Sequence, residues 1–376
     1  MPGLSPVAAD RFRRFVLPGL AFKAVVIGGG YATGREIAEF FLPAGPWGGL
    51  AAMLLATAIW AVVAAATFHL AHRIGARDYR SFFQALLGRG WIAFEAAYAV
   101  FLVLILAVFG AAAGAIAAAT LGAPPFVGTL ALMAGIVACV ARGNAGVERM
   151  FVWVSVLLYA TYAAFLLLAL TGVGDRIAGA FASAAPPAAS GAWVLGGITY
   201  AGYNIVGAVI VLPVTRHFRS GRDAVVAGLV AAPLAMLPAL LFFVSMTAFL
   251  PDIAGAVLPS DYILVRLGHP AFHLLFQAMI LAALLESGSG AVHAINERIA
   301  HASGGRIVLR PATRAWIAVA LLVPCMLIAE RIGLVTLIAS GYRALAWLLI
   351  LLYVLPLLLT VAFRAVRPAA LPETPR

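Results

Sequence analysis

The chain is 376 residues long, 64% hydrophobic and 10% charged, with a mean hydropathy of +1.05. That composition excludes an ordinary soluble globular domain and reads as an integral membrane protein. The net charge of +11 sits in short runs between apolar stretches, with no aromatic-studded basic patch, so it reports topology and not nucleic-acid binding.

At about 20 apolar residues per crossing, the pattern predicts an all-α integral membrane protein with ten apolar segments. They are numbered here 1 to 10: 15–41, 47–70, 91–120, 124–141, 149–171, 192–215, 224–250, 270–297, 314–330 and 333–362. Segment 1 is too long for a signal-peptide core and contains acids, so it is expected to stay as a membrane helix. Its centre is interrupted by Gly28-Gly29-Gly30, followed by Tyr31, Thr33, Gly34 and the charges Arg35, Glu36 and Glu39. Hydrocarbon tolerates loosened backbone and buried charge only around a cavity or within protein. The break therefore marks a binding site. The half-helix that follows points its N-terminus, carrying about half a positive charge, at the break, which suits an anionic group. The competing reading, three glycines for a close helix crossing, leaves Arg35 and Glu36 unexplained.

Between segments 2 and 3, residues 78–90 read as a short amphipathic helix. Segment 3 carries Phe109-Gly110-Ala111-Ala112-Ala113-Gly114, a run of small residues suited to close helix packing in lipid. Residues 183–190, with Pro186-Pro187, read as a flexible linker. Segment 6 holds Gly196-Gly197-Ile198 and then Thr199, Tyr200, Tyr203 and Asn204. We read this as a second break flanked by hydroxyls, aromatic walls and an amide that hold the body of a small solute. Ordinary interhelical hydrogen bonds are the alternative for each of the four side chains.

Arginines concentrate in alternate loops: before segment 1, between segments 2 and 3, 4 and 5, 6 and 7, and 8 and 9, and after segment 10. By the positive-inside rule both termini are cytoplasmic. An even count with both ends inside, and interruptions in segments 1 and 6, predicts a 5+5 inverted repeat. Its halves are residues 1–182 and 183–362, followed by a cytoplasmic tail, 363–376, expected to be disordered after Arg367. Helices 1 and 6, broken at mid-membrane, then face each other, an arrangement that points to a secondary transporter.

Segment 8 carries Glu286, Ser289, His293 and Glu297 at spacings of three, four and four, so they share one helix face. At 1.5 Å per residue the stripe covers about 16 Å, roughly half the hydrocarbon thickness. Poorly solvated carboxyl groups and histidines both exchange protons near neutrality. Glu286 is thus a candidate proton carrier and His293 its cytoplasmic relay. A static pairing of Glu286 with Lys23, the only lysine in the chain, is the alternative.

With this break and topology the chain resembles the amino acid–polyamine–organocation superfamily of LeuT-type fold. The run Ile27-Gly28-Gly29-Gly30-Tyr31-Ala32-Thr33-Gly34-Arg35-Glu36 is similar to the YkvI-type bacterial membrane proteins in particular. The resemblance covers segments 1 to 10 and implies a multi-pass protein of a bacterial cytoplasmic membrane. It implies that the amides of Gly28, Gly29 and Gly30 meet a substrate carboxylate, so that the cargo is an amino acid or similar small carboxylate. It also implies a sodium alternative to the proton, in which Ser287 and Ser289 supply hydroxyls; Glu286 beside them departs from that pattern. Relatives close the outer path with an arginine–acid pair, which here implies Arg343 with Glu36 or Glu39, next to Arg35. The Asp-Pro-Gly run of metal-carrying relatives is absent from segment 1.

Expected partners are a small-molecule solute and the lipid bilayer, with no nucleic acid. Cys139 and Cys325 lie in separate apolar segments and read as small hydrophobes. No cofactor is expected beyond a coupling H+ or Na+, and the chain lacks a phosphate-binding loop for ATP. A transporter-like receptor that binds a solute without moving it would share every one of these residues. An intramembrane enzyme using Glu286 and His293 lacks an evident nucleophile or metal set.

Overall fold

The computed structural model describes residues 5–142, 144–187, 191–302 and 310–366. The linker residues 188–190, Arg306 and the tail from Arg367 onward lie outside the described residues, as do the side chains of Arg149, His301 and Arg364. Among the described residues all regular structure is helical. Among the described residues seven helices are each long and apolar enough to cross a membrane, or eight if the pair Ala160–Gly172 and Gly174–Ser183, bent by 68°, forms one crossing. Segments 1 and 4 fall short of that test. Segment 1 is divided into Leu17–Val26, Gly29–Ala32 and Arg35–Phe40, and segment 4 is the 17-residue helix Pro125–Ala141.

Local chemistry explains where helices begin and end. Asp78 caps the helix Tyr79–Leu87 by accepting from the Ser81 amide at 2.9 Å, and Ser220 caps Gly221–Thr247 through the Asp223 amide at 3.2 Å. Gly75, Gly122 and Gly268 end their helices in left-handed conformations. The expected amphipathic helix between segments 2 and 3 is the Tyr79–Leu87 element. Its buried face, Phe82 and Phe83, packs on Tyr353 and Phe94.

Small residues set the packing, since lipid supplies no hydrophobic drive between helices. In segment 3, a Cβ on Gly114 would meet the Pro125 carbonyl oxygen at 2.7 Å, and Thr129 donates to the Gly110 carbonyl at 2.9 Å. The run 109–114 therefore forms the seam between segments 3 and 4 that its composition predicts.

The helices fall into two packing groups. Segment 7, Gly221–Thr247, packs extensively on segment 2, Gly45–Ile74, and on Leu17–Val26; segment 6, Ala192–Asn204, also packs on segment 2. Segments 3, 4, 8 and 9 pack mainly on one another, with segment 5 against segment 8. Each group draws helices from both halves of the sequence.

Candidate solute site

The backbone of segment 1 leaves the helical path at Ile27 (φ −74°, ψ 81°). The Gly28 amide turns back to the Val26 carbonyl at 2.8 Å, the chain makes one turn, Gly29–Ala32, and it breaks again at Gly34. Gly34 has φ +80°, a conformation that side chains rarely adopt, and a Cβ there would meet the Phe242 ring at 2.7 Å.

Glu36 is folded against this turn and is only 3% exposed. Its Oε2 accepts a hydrogen bond from the Tyr203 hydroxyl at 2.5 Å. A Cβ on Gly30 would collide with Glu36 Oε1 and meet its Cγ at 2.8 Å, so Gly30 leaves the space that the acid fills. Thr33 fastens the turn by donating from Oγ1 to the Gly30 carbonyl at 3.0 Å.

Arg35 points away from Glu36. Its guanidinium donates to the carbonyl oxygens of Ala254 and Ala256 at 3.0 and 2.9 Å and pairs with Glu39 at 2.7 Å. The Ser260 amide donates to the Thr33 carbonyl at 3.0 Å. Together these bonds dock the loop between segments 7 and 8 onto the Gly34 end of the break.

Beneath the break lies a cavity of about 480 Å³, within the usual range for small-molecule sites. Segment 1 contributes Gly28 and Glu36, and segment 6 contributes Tyr203, Asn204 and Val206. The opposite wall is Tyr98, Phe101, Ile105 and Phe109 of segment 3 with Glu286 and Ser287 of segment 8, and Tyr342 of segment 10 closes one side. Glu36, Tyr203 and Tyr342 are buried at one end, while Ala24 and Ala294, which line the other, are exposed. A larger cavity of about 710 Å³, between segments 3, 4 and 9 and the helix Pro259–Leu267, holds neither break.

No family model matches this chain. The uncharacterized membrane protein YkvI of Bacillus subtilis (strain 168) is 24% identical over 290 residues, which cover 74% of this chain and 80% of that protein. The crystal structure of MhsT in complex with L-phenylalanine superposes with a TM-score of 0.61 at 21% identity, covering 89% of this chain and 87% of MhsT. The inward-facing conformation of Mhp1 gives 0.50 at 20% identity, over 91% of this chain and 76% of Mhp1. The fold is that of the LeuT-type membrane proteins.

Set on this fold, the residues singled out from sequence separate into two sets. Gly28, Glu36, Tyr203, Asn204, Glu286 and Ser287 line the cavity. Gly29, Gly30, Tyr31 and Thr33 shape the turn from behind; Tyr31 is fully buried, its ring 6.2 Å from that of Tyr162. Thr199 and Tyr200 are also buried away from the cavity, Tyr200 packing its ring on Phe41 and Trp60 at 4.7 and 5.4 Å.

Segment 6 does not open at its expected break. Gly196 and Gly197 lie inside an unbroken helix, where they serve helix approach: a Cβ on Gly196 would strike the Phe40 carbonyl, and one on Gly197 would meet the Ala52 carbonyl oxygen at 2.6 Å. Helical pairing lapses later, at Ile205–Val206, before the short turn Gly207–Ile210. The backbone there tightens without opening, as the Ala208 amide bonds the Ile205 carbonyl at 2.9 Å.

The expected gate is also rearranged. Arg343 is exposed, and no ion pair joins it to Glu36 or Glu39 among the described residues. Glu39 is held by Arg35 and Glu36 by Tyr203 instead. In segment 8 the stripe divides. Glu286 faces the cavity, Ser289 is fully buried outside it, and His293 and Glu297 join Arg314, with Arg314–Glu297 at 2.8 Å and Arg314–His293 at 3.4 Å. Among the described residues no hydrogen bond joins Glu286 to His293; Lys23 is half-buried and outside the cavity lining.

The sequence reading missed the segment 3 wall and Tyr342. Tyr98, Phe101, Ile105 and Phe109 do recur at helical spacing, a signal that membrane-wide hydrophobicity conceals. Tyr342 ends a wide-turn stretch, Leu337–Tyr342, a geometry often found at functional sites.

Proposed function

We propose that this protein is a secondary transporter that moves a small organic solute of amino-acid size across the membrane by alternating access. The observation that carries the reading is the cavity's position. Segments 1 and 6 of one packing group form one wall, and segments 3 and 8 of the other group form the opposite wall. Rocking one group against the other would then open the same chamber to each side in turn. Transporters among the structural neighbours favour the same conclusion.

In this reading the protein is multi-pass, has ten crossings in two inverted halves and keeps both termini in the cytoplasm. The arrangement of closed and open ends supports a cytoplasm-facing state. Arg35 seals the arginine-poor side through Ala254 and Ala256, and the exposed Ala24 and Ala294 mark the arginine-rich end. Coupling is to H+ through Glu286 or to Na+ through Ser287 and Ser289. Glu286 and Ser287 both face the chamber, whereas Ser289 reaches it only after rearrangement.

Solute uptake into proteoliposomes under an imposed proton or sodium gradient tests the proposal. Gradient-driven accumulation is expected with one of the two ions. Saturable binding with no flux under either gradient would replace the carrier by a receptor.

A further inference from the structure

The cavity's polar lining has acids and no bases. Glu36 and Glu286 share it with Tyr98, Tyr203, Tyr342, Asn204 and Ser287, and among the described residues no lysine, arginine or histidine lines it; Arg298 stays outside, over the Tyr98 ring at 4.8 Å. Among the described residues neither carboxyl group takes part in an ion pair. The nearest cation in sequence, Arg35, is spent on Ala254, Ala256 and Glu39. Charge held within a membrane protein is paired as a rule, so each of these carboxyl groups, once it has given up its proton, leaves a negative charge for the ligand to pair.

The place where a substrate carboxylate would dock is already filled. Glu36 takes the Tyr203 hydroxyl at 2.5 Å, and it packs into the space that Gly30 leaves by lacking a Cβ. The chain supplies its own carboxyl group to the break. A second anion there would face Glu36 directly, with Glu286 on the opposite wall and no base to offset either.

We propose that the solute is recognised through a protonated amine held between Glu36 and Glu286. Its hydrocarbon part lies against Phe101, Leu102, Ile105 and Phe109, and no carboxylate on the solute is required. This assignment rests on the chamber being the solute site of the transporter proposed above, and it narrows that solute to an organic cation or a molecule presenting an amine. The apolar wall separates such a ligand from a bare metal ion, which gains nothing from four hydrocarbon side chains.

The test is the thermal stability of the purified full-length protein with matched probes. These are primary amines from ethylamine to 2-phenylethylamine, the carboxylates of the same skeletons, L-phenylalanine, and sodium or magnesium chloride at equal ionic strength. Larger amines are expected to raise Tm in a saturable way, 2-phenylethylamine at least as strongly as L-phenylalanine, and 3-phenylpropanoate not at all. Glu286→Gln, on the half-buried wall, is expected to weaken amine binding at least tenfold, whereas Glu330→Gln in the separate 710 Å³ cavity leaves it unchanged. Glu36→Gln is expected to do the same as Glu286→Gln; if it fails to fold, the Glu286 result and the probe series decide alone. Stabilisation by carboxylates, by metal ions alone, or by no amine of the series overturns the assignment, as does amine binding unaffected by Glu286→Gln. Amine binding without flux into vesicles leaves the cation site standing and removes the transport reading. Flux of a carboxylate without amine binding does the reverse.

Discussion

Tyr203 donates a 2.5 Å hydrogen bond to Glu36, joining segment 6 to the outer half of the broken segment 1. Both residues belong to the packing group that also holds segments 2 and 7, so the bond fixes one end of the chamber within a single packing group. Removing a hydrogen bond to a charged group costs about 1.5–3 kcal/mol, a factor of roughly ten to a hundred in binding. Tyr203→Phe is therefore expected to keep the fold, judged by gel filtration and Tm, while solute affinity falls by about that factor. Wild-type affinity in the variant would show that the bond does not shape the site.

Gly30→Ala places a methyl group against the Glu36 carboxyl group. Overpacking of this kind costs about 1–3 kcal/mol, so a lower Tm and lost transport are expected. In a Glu36→Ala background the same substitution is expected to cost far less stability. Equal losses of Tm in both backgrounds would mean that Glu36 is not the obstacle.

Arg35→Ala frees the loop carbonyls of Ala254 and Ala256. A cysteine introduced at Ala256 in a background lacking Cys139 and Cys325 is expected to react faster with a membrane-impermeant maleimide when Arg35 is removed. Arg343→Ala, which touches neither loop nor acid, is expected to leave the rate unchanged. Equal acceleration by the two variants would restore Arg343 to the closure.

Sodium-free medium separates the two coupling ions. If the proton is the driver, uptake persists without sodium and Glu286→Gln abolishes its response to an imposed pH gradient. If sodium is the driver, uptake stops on its removal, and Ser287→Ala lowers the apparent sodium affinity while Glu286→Gln spares the pH response.

The first break was legible because a close helix crossing, the bland use of three glycines, leaves the charges that follow them unexplained. The glycine pair of segment 6 misled because such a pair in a membrane helix serves close packing as readily as unwinding, and only the neighbouring carbonyls of Phe40 and Ala52 decide between them. Periodicity put Glu286, Ser289, His293 and Glu297 on one face, but it cannot say which edge of that face meets a cavity. Helix rotation, fixed by packing such as Gly288 on Ile136, turns Glu286 inward and Ser289 aside. Glu36 looked like a gate charge because sequence shows that an acid lies near the break, not that the chain curls back and sits on it. The Tyr342 wall was hidden for a related reason: its wide helical turn leaves no compositional mark.

Arg35 grips the loop by main-chain oxygens, not by side chains. The identities of Ala254 and Ala256 are thus of little account to the seal, provided the loop keeps its course. Across distant homologues this surface can drift freely in sequence while the lock survives, and its trace would be an arginine kept opposite a stretch that shows no consensus at all.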